Sequence, residues 1–138
     1  MAACPMPIHY RFYAEYDLVY AVSSGRIVFK DFKEYTLDFL CKDPRIKSGY
    51  IGLNDMRTVT SNELSRDEML TFIELGEFVD RPIPSKMAFV VSDDYNFANV
   101  RQYAAHAANK ESEIKAFRDI DEAKQWLGIE TLQFDQIL

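Results

Sequence analysis

The chain has 138 residues, of which 48% are apolar and 14% aromatic, and its formal net charge at pH 7 is −6. This length and composition fit one globular domain and exclude a disordered chain. The negative charge argues against non-specific binding to nucleic acid or to an anionic membrane surface, because both require a basic face. No apolar run approaches the roughly 20 residues that cross a bilayer, so we expect no stable membrane insertion.

The cysteines and the two ends of the chain carry further expectations. Cys4 and Cys41 show no CxxC spacing, and the N-terminus lacks the basic start and apolar segment of a signal peptide. We therefore expect a reducing, cytoplasmic environment. Within a single domain spanning 1–138, we expect residues 1–8 to be flexible. The apolar tail 129–138 is expected to dock on the domain or on a partner.

The first part of the chain predicts a hairpin followed by a helix. Alternation over residues 9–14 and a continuous apolar run over 18–22 predict two strands that pair antiparallel. Asp31 marks the start of a helix in the manner of a capping box, and Pro44 ends it. One face of that helix is predicted to be apolar, formed by Phe32, Tyr35, Phe39 and Leu40.

Two further strand–helix units follow. Residues 50–53 and 87–91 are apolar runs that predict the third and fourth strands. Between them, Ser65 and Glu68 have the spacing of a capping box, which predicts the start of the second helix. The hydroxyl-rich stretch 58–65 is interpreted as the turn that leads into this helix.

The last third of the chain repeats the pattern. Asp93 or Asp94 can cap a third helix. Residues 114–117 predict a short fifth strand, Asp119 caps the final helix, and Gly128 is placed where helices often end in a left-handed residue.

The predicted order of elements is ββαβαβαβα, which defines a single α/β domain. Strands joined by helical crossovers pair in parallel, with right-handed connections. We therefore predict a mixed, mostly parallel sheet, antiparallel only at the first strand, with the helices packed against it.

No pattern of residues points to catalysis. The sequence contains no GxSxG, P-loop, GxGxxG, HExxH or CxxC motif, and its two histidines, His9 and His106, are far apart. We therefore expect a non-enzymatic protein without a cofactor or a bound metal.

Four charged residues follow the third and fourth predicted strands. These are Asp55, Arg57, Asp93 and Asp94. Because ligands in open α/β sheets bind beyond the carboxyl ends of strands, these residues are candidates for contact with a polar ligand, a cation or a protein partner. The alternative is structural: Asp55 would form an Asx-turn, and Asp93 and Asp94 would only cap a helix.

Ser61 and Ser65 are candidate phosphoacceptors. A phosphate at the N-terminus of a helix meets free N–H groups and the positive end of the helix dipole. For Ser65 the alternative is that its hydroxyl simply caps the helix opposite Glu68. Ser61 has no evident structural task.

Three segments resemble SpoIIAA-like proteins, whose fold is related to the STAS domains of anti-sigma-factor antagonists. They are residues 117–128, residues 22–28, and residues 53–57 at the end of the third strand. The similarity extends over about residues 9–128 and includes the order of elements. In the related STAS proteins a regulatory serine starts the second helix after an aspartate; here Thr60 stands at the aspartate position and Asn62 at the acceptor position.

The resemblance implies a regulatory module that acts through protein–protein contacts, with a homodimer as the expected assembly and an unknown protein partner. The fold also resembles lipid-binding domains of the CRAL-TRIO type. This second likeness implies an alternative function, the binding or carriage of a small apolar ligand or lipid in a cleft between helices and sheet.

Overall fold

The computed structural model describes residues 7–78, 81–107 and 112–134 of the chain. Within them, strands and helices follow the predicted ββαβαβαβα order, which confirms the α/β class. The strands are β1 Ile8–Tyr13, β2 Leu18–Ile27, β3 Ile51–Asn62, β4 Lys86–Val90 and β5 Glu113–Phe117. The helices are α1 Phe29–Lys33, α2 Arg66–Phe78, α3 Asp94–Ala107 and α4 Ile120–Leu127. A 3-10 turn at Ala14–Tyr16 joins β1 to β2, and α1 continues as a π-helical segment at Glu34–Leu40.

The strands lie side by side in the order in which they occur in the chain. β1 pairs antiparallel with β2, and the pairs β2–β3, β3–β4 and β4–β5 are parallel, as predicted. Successive right-handed crossovers in one direction bring their connecting helices to the same face of a sheet. Accordingly, α1, α2 and α3 cover one face, and α4, which follows the last strand, covers the other.

β2 and β3 are much longer than the apolar runs predicted. They stay paired as far as Ile27 and Asn62, through two register shifts, whereas β4 accompanies β3 only to Asp55. The interpretation of 58–65 as a turn is therefore wrong for residues 58–62, which extend the strand; Thr58, Val59 and Thr60 suit a strand because they are β-branched. We call residues 24–27 and 58–62 the β2–β3 ribbon.

Two apolar cores lie on opposite faces of the sheet. On the α1–α3 side, the fully buried members include Val19, Ala21, Ile27 and Val91. On the α4 side they include Leu18, Leu53, Ala88, Val90 and Ala123. The alternation of Leu18 with Val19, and of Val90 with Val91, between the two cores is the expected consequence of the two-residue period of a strand.

The ends of the described chain are held against the domain. Ile8, within the range expected to be flexible, is only 4% exposed, and the carbonyl of Pro7 accepts a hydrogen bond from Ser24. These two residues are thus tied to the sheet, while the rest of the range expected to be flexible, residues 1–6, lies outside the described part. At the other end, Ile129 is buried and Phe134 stacks on Tyr20 with ring centroids 3.9 Å apart. Residues 135–138 of the tail lie outside the described part.

The start of the first helix differs from the prediction. Asp31 lies inside α1, where its carboxylate accepts a hydrogen bond from the N–H of Val28 at 2.8 Å. The helix begins at Phe29, two residues before Asp31, because the aspartate reaches back from the third helical position instead of preceding the helix.

The π-helical segment changes which residues face inward. Its i to i+5 pattern is seen where the N–H of Cys41 donates to the carbonyl of Thr36 at 3.0 Å. An α-helix would keep Phe39 on the same stripe as Tyr35 and Leu40. In the wider helix Tyr35 and Leu40 are buried, but Phe39 is 40% exposed, so the predicted stripe is wrong at that residue.

Asp43 fastens the end of this segment to the sheet. Its carboxylate accepts hydrogen bonds from the Tyr10 hydroxyl at 2.8 Å and from Arg45 Nη2 at 2.7 Å, and its side chain is only 8% exposed. The Arg45 guanidinium holds the pKa of Asp43 well below its usual value, against the effect of burial, and the Tyr10 hydroxyl contributes in the same direction.

The capping box of α2 is present as predicted. The N–H of Glu68 donates to Ser65 Oγ at 3.1 Å, and the N–H of Ser65 donates to Glu68 Oε1 at 3.0 Å. Ser65→Ala should lower the free energy of unfolding by about 1 kcal/mol, because it removes the acceptor for a helix-terminal N–H. Urea denaturation measures the change. Ser65→Asn, a good N-cap, is the control; an equal loss in both variants would contradict the capping role.

A second prediction concerns pH. Asp43→Asn should lower the free energy of unfolding at neutral pH by about 1–2 kcal/mol, since it removes a charge-assisted hydrogen-bonded network. Because the folded pKa of Asp43 is lowered, its stabilisation is present above the unfolded pKa of about 3.9 and is lost as the pH falls toward the folded value. The difference between wild type and variant should therefore narrow in acid.

The measurement is urea denaturation over a series of pH values. Asp38→Asn serves as the control, because Asp38 is an exposed aspartate of the same π-helical segment. If the difference in free energy of unfolding between wild type and Asp43→Asn does not change with pH, the proposed role of the Asp43 charge is contradicted.

Candidate functional site

A cavity of about 510 Å³ lies between the sheet and the helices on its α1–α3 face. α4 lies close against β3 and β4 on the opposite face, whereas the nearest neighbours of α2 are α1 and α3. The space between α2 and the sheet is the cavity, which residues of β3 and β4 line from below and residues of α2 from above.

The floor of the cavity follows from the alternation of β3. The side chains of Asn54 and Met56 point to one face of the strand and line the cavity. The side chain of Leu53 points to the other face and belongs to the α4-side core. Met87 and Phe89 extend the floor along β4. Gly52 lets Met87 lie across the strand, because a Cβ at this glycine would be 3.2 Å from the Met87 methyl carbon.

The two helices above the floor present different chemistry. From α2, Met69, Phe72 and Ile73 contribute an apolar wall. The α3 residues that line the cavity are largely polar: Tyr95, Asn99, Gln102, Tyr103 and His106, with Val100 as the apolar member. Spacings of three and four residues place this whole set on one side of α3. Tyr95 is 63% exposed, so it marks a place where the cavity meets the surface.

The π-helical segment forms a third wall, to which Tyr35, Thr36, Leu37 and Leu40 contribute. Single turns of π-helix are rare and are often found at functional sites. Here the wider helix brings both Thr36 and Leu37 to the cavity beside Tyr35.

Three tyrosines on the cavity wall have raised pKa values. Burial is the main cause for Tyr35, Tyr50 and Tyr103. The positive charge of Arg81, which also lines the cavity, acts in the opposite direction on Tyr50 and Tyr103. All three phenols are therefore protonated at neutral pH and can donate hydrogen bonds.

The sequence-predicted pair Asp55 and Arg57 lies away from this cavity. Asp55 is 8% exposed and accepts hydrogen bonds from Arg57 Nε at 2.9 Å, Arg57 Nη2 at 2.8 Å and the Arg57 backbone N–H at 3.1 Å. Asp55 shares the parity of Leu53 and so faces the α4 side. There burial raises the pKa of Tyr20, and the charge of Asp55 acts in the same direction. The hydrogen bond from the Arg57 backbone N–H to the Asp55 carboxylate is the one expected of an Asx-turn, but it is made within strand β3 instead of a loop.

The other acidic candidates also have partners. Asp93 caps α3, with Oδ1 accepting from the Asn96 N–H at 2.7 Å and Oδ2 from the Asn96 side chain at 2.9 Å. Asp94 forms an ion pair with Arg118. Within the residues that the structure describes, no group of three or more His, Cys, Asp or Glu is placed to hold a metal ion.

The two candidate serines are in different settings. Ser65 caps α2 and also lines the cavity. Ser61 is an exposed residue near the end of β3, opposite Arg26 of β2 in the β2–β3 ribbon. The strand-to-helix junction expected at Ser61 lies further along the chain, because β3 continues to Asn62.

Apart from Ser65, the candidate residues named from the sequence do not line the cavity. In the sequence, Tyr35 is only part of an apolar stripe and Tyr50 only the start of a strand. The two-residue period of a strand does predict that Asn54 and Met56 face one side of the sheet, and Leu53 and Asp55 the other. It does not show which of the two faces is incompletely filled.

Comparisons with known proteins bear on the fold. No protein-family model matches the chain, and no curated protein matches it significantly. Among solved structures, the chain is similar to an uncharacterised protein of the DUF3478 family from Shewanella loihica PV-4, which has a SpoIIAA-like fold. The TM-score is 0.61 at 17% identity, and the match covers 92% of this chain and 98% of that chain. The chain therefore has a SpoIIAA-like α/β fold, as its sequence predicted.

Proposed function

We propose that this protein is a cytoplasmic, non-enzymatic binding protein that takes a small, largely apolar molecule into the cavity between α2 and the sheet. The observation that carries the proposal is the cavity itself. Its volume of about 510 Å³ lies within the range of small-molecule sites, about 300–1,000 Å³. Its wall combines large apolar and aromatic side chains with a small set of polar ones, which is the usual composition of such sites.

The energetics of packing support the same proposal. Protein interiors are close-packed, and voids much larger than a water molecule are few in a domain. Apolar side chains that border an empty space lose dispersion contacts on that side. A ligand that fills the space restores those contacts for Met69, Phe72 and Phe89, among others, and so stabilises the folded protein.

The charged groups at the carboxyl end of the sheet support binding instead of turnover. Asp55 is neutralised by Arg57, and Asp94 by Arg118. Asp93 is engaged in the cap of α3. These carboxylates already hold hydrogen-bond partners within the fold, so they are poorly placed to exchange protons with a substrate.

Filling the cavity from α2 should weaken ligand binding. Ile73→Trp places a larger side chain in the lining, and we expect the affinity for the neutral apolar dye Nile red to fall at least about tenfold, because the ring competes for the same volume. Glu74→Trp is the matched control, since Glu74 is the next residue of α2 and is exposed. Fluorescence titration measures both affinities.

Equal dye affinity in wild type, Ile73→Trp and Glu74→Trp would contradict the cavity as the site. Native mass spectrometry of gently purified protein adds an independent readout. We expect a co-purified small molecule in the wild type and a reduced amount of it in Ile73→Trp.

A second candidate function, regulation through protein contacts, is favoured by the β2–β3 ribbon. Within the described residues, β4 accompanies β3 only to Asp55, so residues 58–62 pair with β2 alone. A strand with one open edge can accept a further strand from another chain. We propose a second copy of this chain as the partner, giving the homodimer implied by the resemblance.

Ser61 offers a test of this second candidate. Ser61→Glu places a carboxylate on the ribbon of a chain whose net charge is −6, and we expect it to weaken dimerisation about tenfold through like-charge repulsion. Ser61→Ala should leave dimerisation unchanged. Sedimentation velocity over a concentration series measures the dissociation constants. A monomer at every concentration would contradict the dimer. Equal dissociation constants for Ser61→Glu and Ser61→Ala would contradict the expectation that a negative charge at Ser61 controls dimerisation.

A further inference from the structure

Two buried tyrosines on the cavity wall, Tyr35 and Tyr50, have side-chain hydroxyls without a hydrogen-bond partner among the described residues. Tyr35 is 8% exposed and Tyr50 is 4% exposed, and both line the cavity. Throughout residues 7–78, 81–107 and 112–134, neither hydroxyl makes a hydrogen bond. Buried tyrosines usually place the hydroxyl against a hydrogen-bonding group, because an unmade bond costs free energy.

The surrounding chain also shows where these hydroxyls point. Among the described residues, no side-chain nitrogen or oxygen is both sealed from solvent and without a hydrogen-bond partner. The Tyr35 and Tyr50 hydroxyls have no partner, so they are not sealed. Both residues border the cavity, and the accessible space that their hydroxyls reach is therefore the cavity.

The groups around the Tyr35 and Tyr50 hydroxyls favour a negatively charged ligand group. Burial raises the pKa of both phenols, so they remain protonated and act as donors. Arg81 lies near Tyr50 and Tyr103 and adds positive charge. Arg81 has further contacts of its own, so it contributes through its field and not as a vacant donor.

The remainder of the lining is suited to a hydrocarbon chain. Met56 and Met69 supply flexible thioethers, which adapt to an irregular apolar ligand, and Phe72 and Phe89 supply flat apolar surface. We propose that the ligand is a long-chain monocarboxylate whose carboxylate accepts hydrogen bonds from the hydroxyls of Tyr35 and Tyr50. This inference rests on the proposed function, because it assigns the ligand class of the same cavity.

The test compares two probes of equal chain length. Isothermal titration calorimetry measures dodecanoate and dodecanol binding to wild type, Tyr35→Phe, Tyr50→Phe and the double variant. The phenylalanine variants keep the rings and remove only the hydroxyls. We expect wild type to bind dodecanoate more tightly than dodecanol. Each single substitution should weaken dodecanoate binding about tenfold, as expected for a hydrogen bond to a charged group, and dodecanol binding by much less.

Tyr10→Phe is the matched control. The Tyr10 ring lies edge-on to Tyr35, with centroids 5.9 Å apart, but its hydroxyl already donates to Asp43 at 2.8 Å. We expect Tyr10→Phe to lower the melting temperature and to leave the dodecanoate affinity unchanged. In contrast, Tyr35→Phe and Tyr50→Phe should leave the melting temperature unchanged or raise it, since the fold loses no hydrogen bond between described residues in either variant.

The outcomes separate this inference from the proposed function. Binding of both probes with equal affinity, or dodecanoate affinity that the Tyr35→Phe and Tyr50→Phe variants leave unchanged, would overturn the carboxylate assignment while the cavity still binds apolar molecules. Failure of both probes to bind, with Nile red also excluded, would overturn the proposed function itself.

Discussion

The pairing and alternation of β3 is the constraint on which the rest of this structure depends. β3 lies at the centre of the sheet, hydrogen-bonded to β2 along its whole length and to β4 along its first half. Because successive side chains point to opposite faces, it supplies Leu53 to one core and Met56 to the other. A slip of one residue would exchange the two sets and bring Asp55 to the cavity.

The two faces of the sheet are filled to different degrees, and the difference creates the cavity. On one face, α4 and the tail segment pack closely, and Phe134 covers Tyr20. On the other, α2 is supported by its neighbours α1 and α3 and leaves space above the sheet. The helix above this space, α2, is thus held by the helices on either side of it.

The wall nearest β1 depends on a local departure from α-helical geometry. The π-helical segment turns Phe39 outward and keeps Tyr35 and Leu40 buried. Asp43 then holds the end of the segment to β1 through the Tyr10 hydroxyl. Tyr35 lies within the π-helical segment itself, so the geometry of that segment decides that Tyr35 faces the cavity.

Unsatisfied hydrogen-bonding capacity, and not charge, distinguishes the candidate site. The three acidic residues proposed from the sequence as candidate contacts all have partners within the fold. Asp55 pairs with Arg57, Asp93 caps α3, and Asp94 pairs with Arg118. Tyr35 and Tyr50 are buried residues whose hydroxyls reach the cavity and have no hydrogen-bond partner among the described residues. A binding site is more informatively sought at such groups, since a buried donor gains most from a ligand that completes it.

The sequence by itself determined the order and type of the elements, because apolar periodicity, proline positions and caps such as Ser65 act over a few residues. It also indicated the SpoIIAA-like fold. It could not determine the length of the β2–β3 ribbon, since hydroxyl-rich residues 58–62 suit a turn or a strand equally until β2 pairs with them. Only the tertiary structure decided which face of the sheet stays incompletely filled, and so why Tyr35 and Tyr50 line the cavity and Asp55 does not. How completely each face is filled depends on packing between distant segments, and local sequence patterns do not report that packing.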